Sequence, residues 1–151
     1  MKARINAYEV TPEAGKAANE LSRTIEAIGL EPSLVELVKI RASVINGCAF
    51  CINMHTRDAR KAGESEARLY LVSVWRESTV FSPRERAALA YTDALTKVFE
   101  HGAPDAVFDE LKAHFTDKEI VALTSAVAMI NFYNRLAVGL GFVHPSEEAR
   151  D

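Results

Sequence analysis

The ten residues NGCAFCINMH, at positions 46–55, hold the side chains of this protein that are best suited to chemistry. They include both cysteines of the chain, Cys48 and Cys51, and His55 follows the second cysteine by four residues. Residues three, four and seven positions apart share one face of a helix, so this spacing predicts that the three side chains lie along one side. A redox dithiol, a metal site and a pair of inert buried thiols all remain compatible with the pattern.

The residues before the cysteines favour redox chemistry. Asn46-Gly47 breaks or kinks a helix, which places both thiols at the start of a new one. Unpaired backbone N–H groups and the positive end of the helix dipole stabilise a thiolate there. A histidine one turn away accepts the thiol proton or stabilises the thiolate. Because Cys51 is nearer to His55 than Cys48 is, we expect Cys51 to be the more acidic and more reactive thiol.

Other interpretations of the cysteine pair need further residues. Structural zinc requires more ligands, and the four histidines, His55, His101, His114 and His144, form no second closely spaced pair. Covalent haem attachment requires a histidine directly after the second cysteine, where Ile52 stands, and a thioredoxin-like motif requires a strand before the helix. Inert thiols stay open as an alternative, because free cysteine is among the most buried residue types.

The composition is that of a soluble globular protein. Of the 151 residues, 48% are hydrophobic and 26% are charged, which fits a single domain over residues 1–151 with a substantial core. The net charge is −3 and the basic residues are scattered, so no nucleic-acid surface is expected. Polar residues interrupt the most hydrophobic segment, 119–141, which argues against a membrane span.

The N-terminus also lacks the apolar stretch of a signal peptide, so we expect a cytoplasmic location. In that reducing compartment a cysteine pair more often serves metal binding or redox chemistry than a permanent structural bridge.

Helix signals dominate the chain and predict an all-α fold of six to eight helices. Seven segments follow from prolines, capping residues and glycine stops: 11–29, 32–45, 48–63, 65–76, 82–101, one from 104 and one from 116. The residues YLVSVW at 70–75 could form a short strand, but the flanking sequence favours a helix. Residues 1–10 and 145–151 are expected to be flexible or partner-bound ends.

The cysteine motif resembles that of a known family. Glu36, Cys48, Cys51 and His55 match the pattern E-x11-C-x2-C-x3-H of the alkylhydroperoxidase D-like (AhpD-like) proteins, in the carboxymuconolactone decarboxylase superfamily. The core segment 31–63 looks like that family throughout, and FSPRERAALAYTDALT and INFYNRLAV resemble the segments that follow it. The resemblance implies an AhpD-like helical bundle that assembles as a homo-oligomer, commonly a trimer or hexamer.

The resemblance also implies an activity, that of a thiol-dependent alkyl hydroperoxide reductase in antioxidant defence, with no metal or other cofactor. Cys51 would attack the hydroperoxide and become a sulfenic acid, and Cys48 would resolve it to a disulfide. His55 and Glu36 would form a proton relay, although without the resemblance a glutamate three residues before Lys39 is expected to form a solvated ion pair. A lipoyl-linked or thioredoxin-like thiol would be the reductant. The alternative is a non-enzymatic helical oligomer whose cysteine pair senses oxidation or binds zinc.

One position departs from the family pattern. Phe50 stands where the fuller AhpD pattern has a second histidine, directly before the second cysteine. Half of that proton relay is therefore missing. Superfamily members that decarboxylate a lactone lack the cysteine pair, so lactone decarboxylation is not expected.

We expect the polar residues of the last helix, Asn131, Asn134 and Arg135, to complete buried hydrogen bonds or a subunit contact.

Overall fold

A computed structural model describes residues 3–145, which form a bundle of α-helices. The helices within this range are α1 Ala7–Val10, α2 Pro12–Glu26, α3 Pro32–Ile45, α4 Ala49–Lys61, α5 Glu66–Leu71, α6 Pro83–Thr96, α7 Val98–His101, α8 Asp105–Lys112 and α9 Asp117–Leu140, with a 3-10 helix at Val72–Glu77. No strand occurs among these residues. Because α1 and α7 are single turns, the seven longer α-helices correspond to the seven predicted segments, and the all-α prediction is confirmed.

Local sequence signals explain where the helices begin. Proline occupies the first turn of α2, α3 and α6, where its missing N–H breaks no helical hydrogen bond. Ser82 and Glu85 form a complete capping box at the start of α6, and Thr116 and Glu119 form another at the start of α9. These devices satisfy backbone donors that the first turn of a helix leaves unpaired.

Some boundaries differ from the sequence prediction. The segment predicted to run to residue 101 is interrupted at Lys97, whose φ of −108° and ψ of 34° separate α6 from α7. The segment predicted at 65–76 consists of α5 followed by the 3-10 helix, so residues 70–75 are helical and not a strand. The first predicted helix ends at Glu26 and not near Gly29.

The N-terminal end is more ordered than expected. It contains α1, and the backbone N–H of Arg4 donates to the carbonyl of Leu140 at 2.9 Å, which ties the N-terminal segment to the end of α9. Residues 1, 2 and 146–151, which belong to the ends predicted to be flexible, lie outside the described residues.

The central helix is α3. It packs against α4, α6 and α9, and it has apolar residues around most of its circumference. Its buried residues are Leu34, Val35, Leu37, Val38, Ile40, Ala42 and Ser43. The burial of these side chains fixes α3 in the bundle, and α3 in turn carries Glu36 and leads directly into the turn before the cysteines.

Helix α9 is the one helix among residues 3–145 that is long and apolar enough to cross a membrane, by its length and composition alone. It nevertheless packs against α2, α3 and α6, and Asn131 and Asn134 on it are buried and hydrogen-bonded to other helices. These contacts are typical of the core helix of a globular bundle.

Candidate active site

The two cysteines lie where the chain turns from α3 into α4. Gly47 has a φ of +64°, which a glycine adopts without steric cost, and it allows the chain to reverse direction within three residues. Cys48 is the N-cap residue of α4 and not its first helical residue, with a φ of −88° and a ψ of 90°. Its Sγ accepts a hydrogen bond from the backbone N–H of Cys51 at 3.3 Å. The sulfur therefore takes the place that an oxygen usually has in a capped helix.

Cys51 and His55 lie on the buried face of α4, one turn apart, as the spacing predicted. Both side chains line the same cavity, of about 280 Å³. The exposed fractions of Cys48 and Cys51 are 1% and 2%, so both thiols are enclosed by the bundle. Both cysteines are free thiols in this structure. Of the two, Cys51 is the one that reaches the cavity wall.

Glu36 and His55 are brought together from neighbouring helices. Glu36 Oε2 lies 2.9 Å from His55 Nδ1, which joins α3 to α4 across 19 residues of sequence. An ionised Glu36 accepts a hydrogen bond from the Nδ1–H and leaves Nε2 as the basic nitrogen of the ring. The arrangement can therefore exchange a proton at Nε2 while Glu36 stabilises the imidazolium that forms.

Glu36 is also paired with Lys39, as the sequence alone suggested. Lys39 Nζ lies 3.1 Å from Glu36 Oε1, so the two carboxylate oxygens have different partners. Burial raises the pKa of Glu36, but the hydrogen bond from His55 and the charges of His55 and Lys39 outweigh it and hold that pKa below its ordinary value. The carboxylate thus stays ionised although it is partly buried.

A hydrogen bond between the two thiols separates their pKa values. A hydrogen bond from the Cys51 thiol, assisted by backbone N–H groups of residues 50 and 51, lowers the pKa of Cys48 to about 7. Donation of that hydrogen bond, together with burial, raises the pKa of Cys51. Cys48 is therefore the more acidic thiol, which reverses the order expected from sequence. The reason is chiefly the hydrogen bond that the Cys51 thiol donates to Cys48, a contact that the spacing of the residues did not reveal.

Asn134 on α9 belongs to the site, although its sequence context predicted only a buried hydrogen bond or a subunit contact. It is 1% exposed, donates to Ser43 Oγ at 3.0 Å and accepts from Asn46 Nδ2 at 2.9 Å. After the hydrogen bond between the two sulfurs, the amide of Asn134 contributes a further lowering of the pKa of each cysteine. Asn134 therefore connects the turn before α4 to α9 and stabilises negative charge on the thiol pair.

The cavity beside Cys51 is mostly apolar. It lies between α2, α4 and α9, with α3 at its base, and its walls include Ile25, Leu30, Val35, Phe50, Met54, Met129, Ile130 and Phe142. Phe50 packs edge-on against Phe142, with ring centroids 5.4 Å apart and an interplanar angle of 83°. Tyr8 contacts the same ring at 6.0 Å. A ligand next to Cys51 therefore meets an apolar surface that aromatic rings close at one end.

Residues 3–145 contain no group of three or more His, Cys, Asp or Glu side chains arranged to hold a metal ion. His55 is the histidine among the residues that line the cavity beside Cys51. His101 ends α7 next to Gly102, as expected for a residue at a helix end, and His114 pairs with Glu110 on α8 at 3.2 Å.

These features define a class of protein, an all-α bundle with a buried dithiol at a helix start and a glutamate–histidine pair beside it. Residues 12–94 match the carboxymuconolactone decarboxylase family. The chain is 36% identical to the uncharacterized protein YdfG of Bacillus subtilis (strain 168), over 93% of this chain and 96% of YdfG. It is 31% identical to the uncharacterized protein YnjA of Escherichia coli (strain K12), over 70% of this chain and 58% of YnjA. This protein belongs to the carboxymuconolactone decarboxylase family.

Solved structures agree with this assignment and place the chain with the AhpD-like proteins. ATU0492 of Agrobacterium tumefaciens, a protein of unknown function considered a candidate AhpD antioxidant defence protein, is 50% identical with a TM-score of 0.95, covering 97% of this chain and all of that one. A peroxidase-related protein with an AhpD core from Ralstonia eutropha JMP134 has a TM-score of 0.82 at 22% identity, covering 93% of this chain and 75% of that one. The debrominase Bmp8 has the same TM-score at 20% identity, covering 91% and 74%. The last two similarities concern the fold alone.

Proposed function

We propose that this protein is a thiol-dependent peroxidase that reduces organic hydroperoxides. The observation that carries the proposal is the arrangement at one wall of the apolar cavity, where Cys51 and His55 face the same space while Cys48 lies behind Cys51 and Glu36 holds the imidazole. A nucleophile, a resolving thiol and a proton-transfer pair are the groups that a two-cysteine peroxidase needs.

The reaction proceeds in three steps. The Cys51 thiolate attacks the terminal peroxide oxygen, the O–O bond breaks, and Cys51 sulfenic acid forms while the leaving alkoxide takes a proton from His55. Cys48 then attacks the Cys51 sulfur, which gives the Cys48–Cys51 disulfide and water. A dithiol reductant, lipoyl-linked or thioredoxin-like, restores both thiols and is itself oxidised to a disulfide. A cytoplasmic setting, in which such reductants are present, belongs to the same proposal.

Cys51 is the nucleophile in this scheme although Cys48 is the more acidic thiol. The peroxide reaches the pair from the cavity, and Cys51 lies on the cavity wall. Because the two sulfurs share one proton, a negative charge formed at Cys48 transfers to Cys51 when the proton moves along the hydrogen bond between them. Access from the cavity therefore makes Cys51 the attacking sulfur. Movement of the proton from Cys51 to Cys48 gives Cys51 its negative charge.

The test is peroxide consumption by the purified protein, with cumene hydroperoxide as the probe and dihydrolipoamide as the reductant. We expect one equivalent of peroxide to remove two thiols per chain, Cys51→Ser to abolish turnover, and Cys48→Ser to leave a sulfenic acid at Cys51 that a dimedone probe traps. Consumption by Cys51→Ser at the wild-type rate would refute the proposal. So would thiols that survive the peroxide.

The alternative, a redox-sensing or zinc-binding oligomer, gives different results in the same experiment. A sensor forms the disulfide once and does not turn over when reductant is supplied. A zinc protein contains about one metal ion per chain by elemental analysis, and its thiols are protected from peroxide until a chelator removes the metal.

A further inference from the structure

We propose that Lys39 is a positioning residue for the peroxidase reaction, one that holds Glu36 in the orientation and charge state in which it supports His55. This inference rests on the proposed function, since it concerns the same relay. Lys39 lies outside the family motif E-x11-C-x2-C-x3-H, and its contacts in the structure indicate this role.

Lys39 connects two carboxylates on different helices. Its Nζ lies 2.8 Å from Glu26 Oε1 on α2 and 3.1 Å from Glu36 Oε1 on α3. Glu36 Oε2 continues the connection to His55 Nδ1 on α4 at 2.9 Å. Four charged or polar side chains thus form one line of contacts from the surface of α2 to the residue beside Cys51.

Burial distinguishes Lys39 from an ordinary surface lysine. Its side chain is 15% exposed and that of Glu36 is 19% exposed, whereas Glu26 at the outer end is 48% exposed. A surface ion pair three residues apart on a helix contributes little, because water screens it and both side chains lose freedom. Lys39 instead lines the cavity that Cys51 faces, so its charge acts in a poorly solvated region.

The two contacts of Glu36 fix its orientation. With Oε1 bound to Lys39, the carboxylate cannot turn away from α4 without losing an ion pair, so Oε2 stays directed at His55. Without Lys39, His55 alone opposes the effect of burial, so the pKa of Glu36 rises toward that of the neutral acid, which supports the imidazolium less well than a carboxylate does. Removal of Lys39 also takes a positive charge away from the vicinity of Cys51, which disfavours the thiolate. Both effects slow the reaction at low pH.

Other titratable groups near Glu36 do not replace this contact. Besides His55 on α4 and Glu26 on α2, Glu64 after α4 shares a surface depression with Glu36 and is a further acid. Tyr133 on α9 borders the cavity and is neutral near pH 7, since burial raises its pKa. Lys39 is thus the cation whose position allows it to offset the negative charges of Glu26 and Glu36.

The test compares Lys39→Met, Lys39→Arg and Glu26→Gln with a matched control. Lys97→Met makes the same substitution at an exposed pair with the same spacing, Lys97–Glu100 at 3.4 Å, remote from the thiols. We expect Lys39→Met to move the acid limb of the kcat/KM profile for cumene hydroperoxide upward by up to about one pH unit, because this limb follows thiolate formation and the cation on the cavity wall favours the thiolate. Lys39→Arg should keep the acid limb at the wild-type pH, Glu26→Gln should move it little, and Lys97→Met should leave it unchanged.

Two readouts that need no turnover separate this inference from the proposed function. Carbon NMR of the glutamate carboxyls, with Glu36 identified by its loss in Glu36→Gln, reports the Glu36 pKa, which we expect Lys39→Met to raise. The pH dependence of Cys51 alkylation by iodoacetamide should move in the same direction. A folded Lys39→Met protein with unchanged alkylation and kcat/KM limbs would show that Lys39 is a structural ion pair and overturn the inference. If neither the wild-type protein nor any variant consumes peroxide, the proposed function fails. In that case the pH dependence of Cys51 alkylation alone decides whether Lys39 positions Glu36.

Discussion

The thiol pair is expected to be half ionised at about pH 7 and to carry one negative charge per chain well above that pH. The hydrogen bond from Cys51 lowers the pKa of Cys48 from 9.0 to about 7, while the pKa of Cys51 is raised. A thiol with a pKa of about 7 is about half ionised at pH 7, whereas one with a pKa of 9 is about 1% ionised. The structure therefore implies about fifty times more thiolate at pH 7 than an unperturbed cysteine would give.

Ultraviolet absorbance of the thiolate, followed against pH, measures this charge directly. The reduced wild-type protein should show one thiolate per chain with a midpoint near pH 7, and the second thiolate should form only above the ordinary pH range of a thiol, since the pKa of Cys51 is raised. Cys48→Ser should remove the transition near pH 7, because the thiol of Cys48 is the one that ionises first. Cys51→Ser should retain a transition below pH 9, since the backbone N–H of residue 51 still donates to Cys48.

The unfolded protein in denaturant is the control, and both of its thiols should titrate together near their ordinary value. Two thiolates that appear together near pH 9 in the folded protein would refute the shared-proton geometry. A transition that persists near pH 7 in Cys48→Ser would assign the thiolate to Cys51 and restore the order of acidity expected from sequence.

Two further predictions concern Phe50 and assembly. Phe50→His should raise peroxidase turnover by at most about 10²-fold, which is the low end of the effect of a positioned base. This gain should shrink when Glu36→Gln is added. The Phe50→His variant should also have a free energy of unfolding lower by about 0.5–1.5 kcal/mol, because the edge contact with Phe142 is lost. Unchanged turnover in a stable variant would show that proton transfer at this position is not limiting. The protein should be a symmetric homo-oligomer, because α9 exposes Val121, Phe132 and Val138 at 61%, 42% and 49%. The family resemblance implies a trimer or hexamer. Light scattering that returned a mass near 16.6 kDa at micromolar concentration would contradict this, and Phe132→Asp should reduce the oligomer mass.

The features of the fold that could be predicted from sequence depend on local interactions. The capping box at Ser82 and Glu85 involves residues three positions apart, and so does the spacing of the two cysteines. His55 belongs to the same group, because a residue four positions after Cys51 on a helix must lie beside it. Such features need no knowledge of how distant segments pack.

The features that were missed depend on packing between distant segments or on exact backbone angles. Asn134 meets Ser43 across 91 residues, and no pattern within α9 distinguishes its amide from the other polar groups of that helix. Glu36 could be predicted as a site residue only through the family resemblance, because an ion pair with Lys39 is by itself enough to explain a glutamate at this position. Cys48 is the N-cap residue and not the first helical residue, and the hydrogen bond that the Cys51 thiol donates to it reverses the expected order of thiol acidity.

The geometry places charge stabilisation and proton exchange on different sides of the thiol pair. The start of α4 and the amide of Asn134 favour negative charge at Cys48, whereas His55 borders the cavity with Cys51. A thiolate at Cys48 is itself a proton acceptor for Cys51, so activation of Cys51 does not require a second histidine beside it. In the proposed reaction, histidine is then needed chiefly to give a proton to the leaving alkoxide, which His55 can do from the cavity side. Under this division of roles, an apolar residue at position 50 is compatible with the proposed peroxidase chemistry, because its ring belongs to the cavity wall that would receive the organic part of the peroxide.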